Sequence, residues 1–170
     1  MVAKTYIEPT LKALDERYRE GLKNKEALLV SKMAIIELGG WTEETIDALV
    51  SRYAQRKIQH SPRLNKFNEA VRYTHGFQYQ KHFTHLVKEL VGCLGVELIE
   101  RKADRLKIQR LESALSNLTD ARNKAAHTHI QGATYTIDAP SVTLSNYNFI
   151  YDGLKEFEKY FNKTNLHINI

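Results

Sequence analysis

The chain has 170 residues, a length that suits one domain with a sizeable core. Its 26% charged and 42% hydrophobic residues are an ordinary globular balance, without the bias of a disordered, collagen-like or membrane-embedded chain. The formal net charge of +5 fits a polyanionic partner, although a solvated surface with a small excess of basic residues explains it equally well.

Cys93 is the only cysteine, which excludes an internal disulfide and a thiol metal cluster. A reducing compartment follows most simply. The opening MVAKTYIEPT has no apolar signal core, and no stretch approaches the roughly 20 apolar residues of a membrane span. A soluble, cytoplasmic protein without a membrane partner is expected.

In chain order, the first helical segment is expected over about residues 11–38. Pro9 and Thr10 form its entry, and Gly39-Gly40 acts as a stop. Ala27, Val30, Ala34 and Leu38 repeat at helical spacing, and Gly21 is placed to weaken or break the segment. A second helix starts at Trp41-Thr42, with Thr42 as N-cap and Glu43 and Glu44 in the first turn, where the helix dipole favours anions. Ser61-Pro62 opens a third helix that ends at His75-Gly76. A fourth, over about residues 80–94, shows the apolar positions Phe83, Leu86, Val87, Leu90, Val91 and Leu94, with Gly95 as its left-handed stop. Residues 96–99 read as either an extended or a helical link. A fifth helix covers about residues 102–127. The stretch 128–143, rich in Thr, Gly, Asp and Pro, reads as loop with a short strand possible at 134–137. A sixth helix starts near Ser145, with Phe149, Ile150, Leu154, Phe157 and Phe161 inward and a polar tail after Asn162. With no repeat or linker, residues 1–170 are expected to form one all-α domain.

The fifth helix carries the chemistry. Leu111, Leu115 and Leu118 form one narrow stripe at about 100° per residue, and the next position in it is Arg122. A guanidinium where the core pattern wants leucine needs a partner. One candidate is a carboxylate inside the bundle, with Glu37 attractive because it interrupts the apolar run MAIIEL. The other is an anionic ligand such as a phosphate, which the planar fork of Arg matches as well. Asn123 and His127 lie four apart on one helix face. Arg122 and His127 lie five apart, which separates them by about 140° on an ideal helix. They converge only if the helix ends near His127, or if a second copy shares the cleft. The small pair Ala125-Ala126 permits such an approach.

The segment Arg122-Asn123-Lys124-Ala125-Ala126-His127 resembles the signature of the HEPN superfamily, an Arg followed by a polar residue, three further residues and His. The leucine-periodic helix before it, the Pro-containing loop and final helix after it, and the run KMAIIELGG are similar to the RiboL-PSP-type branch, over roughly residues 25–160. The resemblance implies an antiparallel bundle of five to six helices with a short irregular or extended loop before the last. It also implies a metal-independent RNA endonuclease of a toxin or phage-defence system, working as a homodimer under a regulatory protein such as an antitoxin. His127 would take a proton from an RNA 2′-hydroxyl, and Arg122 would hold the phosphate. Asn123 would orient the substrate or the imidazole, and Lys124 and His129 would contact substrate. The products would be a 2′,3′-cyclic phosphate and a 5′-hydroxyl, with a second chain's histidine as acid and no cofactor. Some HEPN toxins carry Tyr two residues after the His as a target for modification. His129 stands there, so that mode of neutralisation is not implied.

Other readings stand beside this one. A catalytically inactive HEPN module would bind RNA, nucleotide or a protein, and a plain helical adaptor would pair Arg122 with Glu37. His82 and His85, one turn apart, lack the further ligands that zinc requires, so no metal site is expected. His129 reads equally as an exposed loop residue. Tyr147, Tyr151 and Tyr160 either stack on bases or edge the core. The run RKADRLKIQR reads as an RNA-backbone track or as a charged helix face.

Overall fold

The computed structural model describes residues 2–3, 6–127 and 137–163. Among these the chain is helical without a strand: α1 (Ile7–Arg19), α2 (Asn24–Lys57), α3 (Ser61–Tyr73), a π-helical turn (Tyr79–Phe83), α4 (Thr84–Lys102), α5 (Arg105–His127) and α6 (Pro140–Lys163). This is the all-α helical bundle expected. The candidate strand at 134–137 lies outside the described residues except for Ile137, which is in no regular element.

Gly21 does break the first segment, at φ +78°, a left-handed conformation that costs glycine nothing and leaves α1 and α2 as separate helices. The expected stop at Gly39-Gly40 is wrong. α2 runs unbroken through both glycines for 34 residues. Thr42 is a buried mid-helix residue rather than an N-cap, with its Oγ1 donating to the Leu38 carbonyl at 2.7 Å. Tertiary packing overrides propensity here. Two interior glycines cost roughly 2 kcal/mol, whereas Leu38, Trp41, Ile46 and Val50 are all buried and each contributes about 1.5–3 kcal/mol.

α4 is displaced in the same sense. Gly95 is helical and buried, and the break falls three residues earlier, at Gly92 (φ +70°), so the 96–99 link is helix. α6 begins at Pro140 rather than Ser145, with Pro in the first turn where its missing N–H is harmless.

α5 and α6 run antiparallel, since Lys107 reaches Glu156 near one end and Arg110 lies over Phe149 further along. α2 runs in the same direction as α6, with Trp41 against Tyr147 and Arg52 paired to Glu158. The shared core joins Leu111, Leu115 and Leu118 of α5 to Ile150, Leu154 and Phe157 of α6, and Phe83 packs edge-on to Phe157 at 4.7 Å. Phe149, expected inward, is instead partly exposed beneath Arg110. Tyr147 is fully buried, which removes it as a base-stacking residue. No helix of the described residues is long and apolar enough to cross a membrane.

Candidate functional site at the end of helix α5

α5 buries Leu111, Leu115 and Leu118 completely, and the stripe emerges at the bundle edge at Arg122. The aliphatic part of Arg122 lies on Gly39 of α2. A Cβ there would stand 3.4 Å from Arg122 Cδ and 3.7 Å from Nε. A methyl group at Gly39 would thus be in ordinary van der Waals contact, so Gly39 borders the seat of this arginine and any larger side chain would crowd it. Phe77 lies beneath the guanidinium, whose Cζ is 5.7 Å from the ring centroid, within cation–π range.

The carboxylate that meets Arg122 is Glu43, not Glu37. Nη1 donates to Oε1 and Nη2 to Oε2, both at 3.3 Å. Glu37 lies on another face of α2, where its charge and that of Glu44 act on Tyr6. The pair is half-exposed, with the Arg122 side chain 40% accessible and Glu43 29%. Its 3.3 Å contacts are longer than the about 2.7–2.9 Å of tight charge-assisted bonds. A phosphate arriving from solvent can therefore compete for the fork.

Around this pair lies a second ring of titratable groups. Asp47 follows Glu43 by one turn on α2 and is half-buried; burial, then the neighbouring Glu43, pushes its carboxyl up to about 6, with His75 opposing. His82, in the π-helical turn, accepts a hydrogen bond from the Gln78 N–H at Nδ1 (3.1 Å). Its ring packs on Gly76, where a Cβ would clash at 2.8 Å. Burial, then Lys81 and His85, lowers its basicity, while Glu43 acts the other way. Glu43 is thus the charge shared by Arg122, Asp47 and His82. His82 is held by its own turn, and among the described residues no group of three or more His, Cys, Asp or Glu could hold a metal ion.

The rest of the motif is less assembled. Asn123 and His127 are exposed, and His127 makes no hydrogen bond or ion pair among the described residues. α5 stays helical to His127, so its side chain and that of Arg122 diverge by about 140°. One chain does not bring them together. Lys124 lines a cavity of about 500 Å³ between α2, α5 and the start of α6, beside Asp120 and Asp138. That is a different side of α5 from the Arg122–Glu43 pair. Ala125 is buried within the chain's own fold, so of the small pair only Ala126 is open to a second helix. His129 lies outside the described residues.

Sequence reasoning found Arg122 but missed Gly39, Glu43, Asp47, His75 and Phe77 as its surroundings. The available signal was the spacing of Glu43 and Asp47, four apart on a helix otherwise apolar at Ile46, Leu49 and Val50. In comparisons with family models, curated proteins and solved structures, the chain has no match.

Proposed function

We propose that the chain is a metal-independent RNA endonuclease of the HEPN kind, of toxin or phage-defence type, with Arg122, Asn123 and His127 as its catalytic residues. The observation that carries the reading is the seat of Arg122. Its fork is fixed at the bundle edge by Gly39, Phe77 and Glu43 and remains two-fifths open to solvent. A guanidinium so placed suits a phosphodiester and the extra charge of its transition state. Exposed His127 supplies an imidazole that takes the 2′-hydroxyl proton. The 2′-oxygen attacks the adjacent phosphorus, leaving a 2′,3′-cyclic phosphate and a 5′-hydroxyl.

The divergence of Arg122 and His127 on a regular helix calls for two chains, one giving the phosphate clamp and the other the base. Leu29, Met33 and Ile36, at i, i+4 and i+7 on α2, leave an apolar stripe that supports self-association. A regulatory protein such as an antitoxin is a further proposed partner, and the cytoplasm the proposed compartment. Labelled RNA incubated with the purified protein in EDTA should be cut, and the His127→Ala variant should leave it intact. Activity lost in EDTA and restored by a divalent ion removes this mechanism.

The occupied fork favours a second reading, a catalytically inactive HEPN module that binds RNA, nucleotide or a protein, with the Arg122–Glu43 pair as a structural clasp. Under it, RNA binds without cleavage and His127→Ala changes nothing.

A further inference from the structure

We propose that the groove between the π-helical turn and α5 holds an unpaired RNA strand on its way to the cut, with Arg101 and Arg105 clamping a phosphate far from the chemistry. The inference rests on the ribonuclease reading and adds to it the surface that selects the substrate.

Arg101 stands in the last turn of α4 and Arg105 at the first position of α5, yet both line one cavity of about 450 Å³. Both are exposed, and neither makes a hydrogen bond or ion pair among the described residues. The π-helical turn supplies another wall and is latched to both helices. Tyr79 donates from its hydroxyl to Glu100 Oε1 at 2.7 Å, and Gln80 donates from Nε2 to Glu112 Oε1 at 3.3 Å. Each latch leaves the second carboxylate oxygen without a hydrogen-bond partner among the described residues. A smaller cavity of about 240 Å³ shares the wall of Tyr79, Gln80 and Glu112 and carries the groove on to Lys81 and Ser116.

The same face of α5 leads to the motif. At about 100° per residue, Arg105, Gln109, Glu112 and Ser116 fall within about 60° of one another, and Asn123 and His127 fall in that same sector. Asp120, near its edge, lines the other cavity beside Lys124. Arg105 opens α5 and His127 closes it, which separates them by about 33 Å along the axis. At about 3.4 Å per stacked nucleotide, roughly ten nucleotides span that distance. The groove is mixed rather than simply basic. Arginine forks take phosphate, whereas carboxylate oxygens only accept and so require a ligand that donates. An unpaired RNA strand offers both, phosphates for the forks and 2′-hydroxyls or base amino groups for the carboxylates. DNA lacks the hydroxyl.

The test measures binding of labelled, unpaired RNA by fluorescence anisotropy in EDTA, with His127→Ala chains so that the strand stays whole. A strand of about twelve nucleotides should bind about 10-fold more tightly than one of about four, which is too short to reach from the motif to the clamp. Arg101→Gln combined with Arg105→Gln should weaken the long strand by about 10-fold. It should also lower the slope of log affinity against log salt by about 1.4, since each phosphate contact on a single strand adds about 0.7. Lys12→Gln with Arg17→Gln, which removes the same charge from α1, should cost less than about 2-fold. DNA of the same sequence should bind several-fold more weakly than the RNA. Equal losses from the two double variants, an unchanged salt slope, or DNA bound as tightly as RNA overturn the groove. If the unaltered protein leaves RNA whole while the clamp results hold, the ribonuclease reading has failed and the groove stands as an RNA-binding surface. If the unaltered protein cuts, His127→Ala does not, and the clamp results fail, only the groove is overturned.

Discussion

Arg122 is held by a carboxylate that is both half-exposed and loosely bonded, so its charge is shared with solvent rather than locked. Such a pair contributes on the order of 1 kcal/mol or less to stability. Glu43→Gln should therefore leave the urea midpoint nearly unchanged while tightening RNA binding by several-fold, because one competitor for the fork is neutralised. Filter binding at fixed salt checks it, and weaker binding would mean that Glu43 orients the fork instead of competing for it. Asp47 gives a pH signature of definite sign. Its folded carboxyl is raised from 3.8 to about 6, so the folded chain binds a proton that the unfolded chain has released between these values. Stability is then lost as pH rises from about 4 through about 6, by on the order of 1 kcal/mol after solvent screening. Asp47→Asn should be more stable than the unaltered protein at pH 7, and the gain should vanish at pH 4; urea melts at both pH values decide. Arg122 was legible in the sequence because it interrupts a leucine stripe. Glu43 was not, because it read as the first-turn anion of a helix that does not begin there. Glu37, which interrupts an equally apolar run, drew the attention instead, and only the rotation of α2 about its axis separates the two.

Helix existence was legible wherever apolar residues recur at helical spacing, as in α5 and α6. Boundaries failed where glycine was read as punctuation. Gly21 and Gly92 have positive φ and interrupt helices; Gly39, Gly40 and Gly95 lie within helices. Their one-letter symbols are identical, and what separates them is the backbone conformation each adopts, left-handed at Gly21 and Gly92 and helical at the other three. The difference can be measured. Gly40 is helical, exposed, and would meet nothing within 4 Å with a Cβ. Gly40→Ala should stabilise the protein by about 0.5–1 kcal/mol. At Gly92 the same change forces alanine into a left-handed conformation and should destabilise by about 1 kcal/mol or more. Opposite signs in thermal melts are expected, and a loss at Gly40 would restore the helix stop.

At the scale of the whole molecule, in the proposed ribonuclease reading two chains are asked to complete what one divides between faces of α5. Arg122→Ala and His127→Ala, each inactive alone, should regain partial ribonuclease activity when mixed, because one site of the heterodimer keeps both residues. Light scattering should report a dimer, and a fully active monomer would refute the shared cleft. The position of Trp41 has a consequence for how any such rearrangement can be watched. This sole tryptophan lies midway along α2, its indole N–H donating to the Ala3 carbonyl at 3.3 Å and its ring 5.2 Å from that of Tyr147 on α6. One natural fluorophore thus touches the N-terminal segment, the longest helix and the last helix at a single point. Its emission needs no label to distinguish a global melt from a local event. Loosening of α6 from α2 should shift it to the red, whereas an exchange of partners at Arg122, on another face of α2, should leave its colour unchanged.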